Sequence, residues 1–193
     1  MSALNSYSAH QKICSGGGRN MLEIGMICAE AGEKIARVSA NMARAADMEV
    51  RASSTATTGA YSSACQRGLP AILMERGGDG RFTDSEVQAY KRDVKNIMIR
   101  MGLLSGEEVH TVQQKNVTRA EYLEAETDGL WYPVFSAGDT FEGGAVLGTV
   151  RDIWGNLLLE YRADYPGIIL YQTVGLGVKT GDPLIAYGEY VDR

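Results

Sequence analysis

A chain of 193 residues, 45% hydrophobic and 22% charged, has room for one large domain or two small ones and enough apolar content for a packed core, which excludes global disorder. Its net charge of −5, with Lys and Arg scattered and never in a run, excludes the basic face of a nucleic-acid binder, although one or two placed cations suffice for an anionic substrate. Cys14, Cys28 and Cys65 are widely spaced with no CxxC pair, which excludes a zinc ribbon or a disulfide framework and reads as reduced thiols.

The lead-in from Met1 to Gly18 is polar, ends in Ser15-Gly16-Gly17-Gly18 and contains no apolar segment of the kind a secretory signal needs. No stretch is long enough to span a bilayer, so the expectation is a cytoplasmic protein without a membrane partner. Ile35, Val38, Met42 and Ala45 recur at intervals of three and four and predict a helix from Glu33 to Ala46. A short strand over Glu49 to Ser53 follows, then the small polar loop Ser54 to Gly59, then one or two helical turns over Tyr61 to Gln66 closed by Gly68.

Ala71-Ile72-Leu73-Met74 is a continuous apolar run after Pro70, the pattern of a strand buried on both faces of a mainly parallel sheet. Thr83-Asp84-Ser85-Glu86 fits a capping box, and the helix it opens places Val87, Tyr90, Val94, Ile97, Met98 and Met101 on one stripe before Gly102. The polar stretch Glu107 to Asn116 reads as a linker. After it come short strands punctuated by Gly, Asp and Pro, over Leu130 to Phe135, Ala145 to Val150, Leu157 to Arg162, Ile168 to Val174 and Leu184 to Tyr187.

An internal echo, Ala137-Gly138-Asp139-Thr140-Phe141 against Thr180-Gly181-Asp182-Pro183-Leu184, suggests two equivalent turns in a small barrel or sandwich. The expected layout is therefore an α/β domain over residues 1–112 and an all-β domain over 113–193. The β portion has the barrel-sandwich pattern of biotinyl and lipoyl carriers, but its candidate hairpin, Ala163 to Ile168, has no lysine to bear a cofactor. Its tyrosines, Tyr132, Tyr161, Tyr165, Tyr171, Tyr187 and Tyr190, are expected as half-buried strand residues with hydroxyls at the rim.

Glu75 follows the apolar run and precedes Arg76-Gly77-Gly78-Asp79-Gly80. A carboxylate at the C-terminal end of a parallel strand stands where open α/β sheets build their sites, and the glycines admit a substrate to the backbone. A strand-end Glu paired with Arg76, or solvated, is the equally weighted structural alternative.

Gly68-Leu69-Pro70-Ala71-Ile72-Leu73-Met74-Glu75-Arg76-Gly77-Gly78 resembles the G-(I/L)-P-A-I-x-x-E-x-G segment of the succinylglutamate desuccinylase/aspartoacylase family. The loop Ser54 to Tyr61 is similar to the Ser/Thr/Gly loop before that segment, and the Thr83 to Leu104 helix to the one after it. Gly143-Gly144-Ala145-Val146-Leu147-Gly148-Thr149-Val150-Arg151-Asp152-Ile153-Trp154-Gly155 resembles the family's C-terminal β-domain signature. The likeness runs from about Met21 to the end.

The resemblance implies part of a carboxypeptidase-like α/β domain followed by a small β-domain, and a zinc-dependent amidohydrolase that removes an acyl group from an N-acylated amino acid. It implies Glu75 as general base toward a zinc-bound water, a role that suits a carboxylate beside a water of lowered pKa. Within that reading Arg76 steadies a substrate carboxylate, and Thr57, Thr58 and Tyr61 line the pocket.

The chain departs from the family pattern at the metal. It has no H-x-x-E, its histidines are His10 and His110, and Lys12-Ile13-Cys14 stands where the family has Asp-Leu-His. Cys14 and His10 fall short of three protein ligands, so zinc is implied by the resemblance but not expected to be bound by this chain alone. The second reading is a binding module or remnant that has lost hydrolysis. A sheet missing its N-terminal strands leaves an open edge, which predicts a homo-oligomer, most simply a two-fold dimer.

Overall fold

The computed structural model describes residues 19–28, 32–78 and 81–192. The elements in chain order are β1 (Arg19–Met21), β2 (Ile24–Cys28), α1 (Glu33–Ala45), β3 (Val50–Ser54), α2 (Ala60–Gln66), β4 (Ile72–Glu75) and α3 (Asp84–Arg100). Then come β5 (Lys115–Glu124), β6 (Gly129–Pro133), β7 (Thr140–Phe141), β8 (Val146–Arg151), β9 (Leu157–Arg162), β10 (Gly167–Thr173), β11 (Gly177–Val178) and β12 (Pro183–Asp192).

The central strands β2, β3 and the start of β5 run parallel, with Met26 opposite Ala52 and Ala52 opposite Val117. The eight-stranded sheet has the order β1-β10-β12-β5-β3-β2-β4 with β7 added to β10, and a four-stranded sheet has the order β11-β6-β8-β9. The fold is thus mixed α/β with a second, antiparallel sheet. β5 pairs with β3 at its start and with β12 along its length, so one sheet runs through the position where the sequence suggests a boundary.

The stretch before β5 is not a free linker. Asn96 of α3 donates from Nδ2 to the Val109 carbonyl at 2.8 Å and accepts from the Val109 N–H at 3.0 Å. Gln114 donates from Nε2 to the Ala43 carbonyl at 3.1 Å.

α1 forms where the apolar periodicity predicts it, but it buries Ser39, Ala43 and Ala45, small residues that bring the helix close to the sheet. α3 carries the complete capping box, Thr83 accepting from the Glu86 N–H and Glu86 accepting from the Thr83 N–H. Its buried side differs from the expected apolar stripe: Ala89, Asp93 and Asn96 are covered, while Val94 is 48% exposed. Asp93 and Asn96 face inward because they satisfy backbone and guanidinium groups there, a demand that apolar periodicity does not record.

The β portion encloses its own core of Trp131, Phe141, Leu147, Val150, Tyr161, Tyr165, Ile169, Ile185 and Tyr187. Contrary to the rim expectation, Tyr161, Tyr165, Tyr171 and Tyr187 are buried, and Tyr161 and Tyr187 turn their hydroxyls to the backbone N–H groups of Glu126 and Asp164. The echo is a repeated turn. Gly138 and Gly181 both adopt positive φ, and Asp139 and Asp182 accept the N–H groups of Ser136 and Lys179 at 2.8 and 2.9 Å.

A second core, Leu22, Ile24, Met26, Val50, Ala52, Val117, Ile168, Leu170, Tyr171 and Ala186, covers one face of the large sheet, with Tyr61, Leu73, Ala120 and Tyr190 packed against it.

Candidate active site

Glu75 ends β4, and the strand is not the one the sequence suggests. β4 is a half-buried edge strand, antiparallel to β2, with Glu75 opposite Ile24 at the start of β2. An apolar run records burial but not direction, and the chain crosses back through α2 to reach the outer side of β2. Strand alternation then puts Leu73 and Glu75 on the face of the second core, and Met74 and Arg76 on the helix face.

On the Glu75 face two tyrosines converge. Tyr61, in the first turn of α2, packs on the second core beside Leu73. Tyr122, on β5, lies with its ring centroid 6.3 Å from that of Tyr171, tilted by 46°. Burial first, then the neighbouring Tyr61 and Glu75, push the Tyr122 phenol up to about 12. Yet Tyr122 is 48% exposed. Tyr61 and Tyr122 thus share this face of the sheet with Glu75, whose charge reaches the Tyr122 phenol.

Thr57 is exposed in the loop before α2, where its carbonyl accepts from Gln66 Nε2 at 2.8 Å. The Thr58 hydroxyl is buried, with no hydrogen-bond partner among the described residues, and so is that of Ser62 one turn on.

Arg76 is turned to the opposite, helix-covered face. Its guanidinium pairs with Glu23, donates from Nε to Asp93 Oδ2 at 2.9 Å and from Nη2 to the Asp47 carbonyl at 2.6 Å. Only 2% of the side chain is exposed. Burial would lower its pKa, but Glu23 and Asp93 more than offset this and hold it charged. The arrangement anchors the residue after Glu75 to α3 and to the turn after α1.

Among the described residues no group of three or more His, Cys, Asp and Glu is placed to hold a metal, so they do not by themselves form a zinc site. His10 and Cys14, the ligand candidates read from the sequence, lie outside the described residues. His110 sits at the surface with its ring nitrogen 3.0 Å from Glu108, which also pairs with Arg100.

Solved structures share this architecture. A succinylglutamate desuccinylase/aspartoacylase from Rhodobacter sphaeroides superposes with a TM-score of 0.77 at 20% identity, covering 92% of this chain and 56% of that one. The chain has the fold of the succinylglutamate desuccinylase/aspartoacylase family. The product-bound ectoine utilization protein EutE (DoeB) from Ruegeria pomeroyi matches with a TM-score of 0.78 at 19% identity, over 90% of this chain and 55% of that one.

In sequence, the N-alpha-acetyl-L-2,4-diaminobutyric acid deacetylase of Halomonas elongata is 27% identical over 127 residues, 63% of this chain and 37% of that protein. No family model matches the chain. The chain thus spans little more than half the length of these solved structures and just over a third of the curated relative. Among the described residues no helix is long and apolar enough to cross a membrane.

Sequence reasoning singled out Glu75 and Tyr61, which the structure brings to one face, but missed Tyr122 and the pairing of its ring with Tyr171. The signal was present as Val117, Ala120 and Tyr122 on a mostly polar strand, hidden by a break in the alternation.

Proposed function

We propose that this chain contributes the base and one wall of a deacylase site that removes an acyl group from an N-acylated amino acid. The observation that carries the reading is the placement of Glu75, Tyr61 and Tyr122 on one face of a deacylase-family fold. The name of the Halomonas relative, a deacetylase of an N-acetylated diamino acid, points to the same chemistry.

Glu75 takes the proton from the water that attacks the acyl carbonyl and passes it to the departing amine. Both transfers need a carboxylate on the face where the substrate would lie, and strand alternation puts Glu75 on the face of Tyr61 and Tyr122. Tyr122, neutral over the working pH range, gives that face a hydroxyl donor without adding charge. Arg76 acts as a positioning residue in this scheme, fixing the turn after Glu75, and not as the partner of a substrate carboxylate. Because the described residues do not form a metal site, no step is routed through zinc.

The test is acyl release from N-acetyl amino acids by the wild type and Glu75→Gln. A base acting in the transition state predicts kcat lowered by about 100-fold or more with KM within about threefold. A Glu75→Gln variant with full activity would remove Glu75 from the reaction.

A further inference from the structure

We propose that the open edge of β9 is a docking strand for a second copy of this chain, which pairs with it antiparallel about a two-fold axis at Tyr161. β9 ends the order β11-β6-β8-β9, so β8 is its one strand partner among the described residues. The surface belongs to the β portion and does not depend on the deacylase reading.

Backbone and side chains are both aligned for such pairing. The Ala163 N–H donates to the Ala145 carbonyl at 3.0 Å, and the Ala163 carbonyl accepts from the Gly144 N–H at 2.8 Å, so the backbone groups of Ala163 point toward β8. Alternation along the strand then turns those of Arg162 and Glu160 outward, to the open edge. Tyr161 between them lies in the core of the β portion, which puts the Glu160 and Arg162 side chains on the opposite face. These two pair with each other and are still 35% and 57% exposed, respectively.

Charge selects the register. A charged edge strand ordinarily repels its own copy, because like groups fall opposite like. The order Glu160-Tyr161-Arg162 is instead self-complementary. With Tyr161 of both copies on the axis, Glu160 of each copy stands opposite Arg162 of the other, and each such pair exchanges both of its N–H···O bonds. The adjacent registers that keep outward backbone groups opposed set Glu160 against Glu160 or Arg162 against Arg162. In the favoured register Leu159 falls opposite Ala163 on the core side, which adds apolar contact, and the two copies use the same patch.

The experiment is a binding titration between charge variants of the full chain, with one partner fluorescently labelled. Glu160→Arg carries two arginines on the edge and Arg162→Glu two glutamates, so each repels itself while the two together restore both pairs. Labelled Glu160→Arg is expected to bind Arg162→Glu about tenfold or more tightly than it binds Glu160→Arg, and about as tightly as wild type binds wild type. In about 1 M salt the preference should shrink to about threefold or less. Both variants lose the pair within the strand, a surface pair of small worth, and damage to the fold could not be repaired by mixing. A contact through any other edge contributes equally to every combination.

Equal affinity in all combinations would overturn the pairing through β9 and leave self-association to another surface. Wild type that does not bind itself would overturn it as well. So would a mixed pair no tighter than the two self-pairs while wild type associates, since the reversals would then have acted on the strand itself and not across an axis.

Discussion

Replacing Asp47 by Asn tests the polar anchor behind Glu75. Asp47 follows α1, and its Oδ1 accepts the N–H groups of Thr111 and Val112 at 2.7 and 3.1 Å. Oδ2 accepts the Thr111 hydroxyl at 2.7 Å and Arg92 Nε at 2.9 Å, and the side chain is fully buried. In the variant the Oδ1 bonds survive, but an NH2 group faces two donors; the hydroxyl can turn, whereas the guanidinium cannot. Arg92 is 30% exposed, so its share is discounted toward the value of a surface pair.

The remaining charge-assisted bonds put the cost of Asp47→Asn at about 2–4 kcal/mol, a fall in Tm of about 5–15 °C for a chain of this size. Burial pushes the Asp47 carboxyl up, but Thr111, Val112 and Arg92 more than compensate and leave its pKa below the ordinary value. A depressed folded pKa means that the stabilisation is fully present above the unfolded value, about 3.9, and is lost as the pH falls through the folded one. Urea unfolding of both proteins from pH 7 to pH 3 should therefore give a gap that is flat at neutral pH and closes only in acid. A gap under about 1 kcal/mol at pH 7, or one unchanged at pH 3, would refute the argument.

Gly148→Ala would set a Cβ 2.3 Å from the Trp131 ring, which is only 2% exposed and cannot swing away. A loss of about 1–3 kcal/mol by urea unfolding is expected, and a change under about 0.5 kcal/mol would show that the ring has room. The outer side of β4 is unpaired by any other strand in the described sheet, so a two-fold dimer is expected to cover part of that edge. Light scattering at micromolar concentration should return twice the chain mass of 20.9 kDa, and the single mass would end that expectation.

Much of the fold could be read from residues with a local physical signature. α1, α3 and its capping box, and β9 over Leu157 to Arg162 follow from periodicity and turn chemistry, and the two Gly-Asp turns from the echo between them. What stayed hidden depended on distant partners. β2, with Ile24-Gly25-Met26-Ile27-Cys28, is too short to distinguish from a buried helical turn without knowing that β3 and β4 flank it. The direction of β4 lies in its connection and not in its composition. Arg76 looked available in sequence because Glu23 and Asp93 lie far from it along the chain.

The site was hidden for a more specific reason, which lies in β5. Val117 faces the second core, and strict alternation from there would send Arg119, Glu121 and Leu123 to the same face. The ladder between β5 and β12 instead shifts register between Glu189 and Tyr190, with Thr118 as the additional residue. Beyond it the parity reverses. Arg119 stacks over Tyr165 at 4.1 Å and Leu123 packs in the other core, while Ala120 joins the second core and Tyr122 meets Tyr171. Without the bulge the strand would offer the face of the second core an arginine, a glutamate and a leucine. With it, the strand offers a neutral phenol to a carboxylate. A bulge re-aims the side chains that follow it, and here one inserted residue decides which of the two hydrophobic cores each later residue of β5 faces.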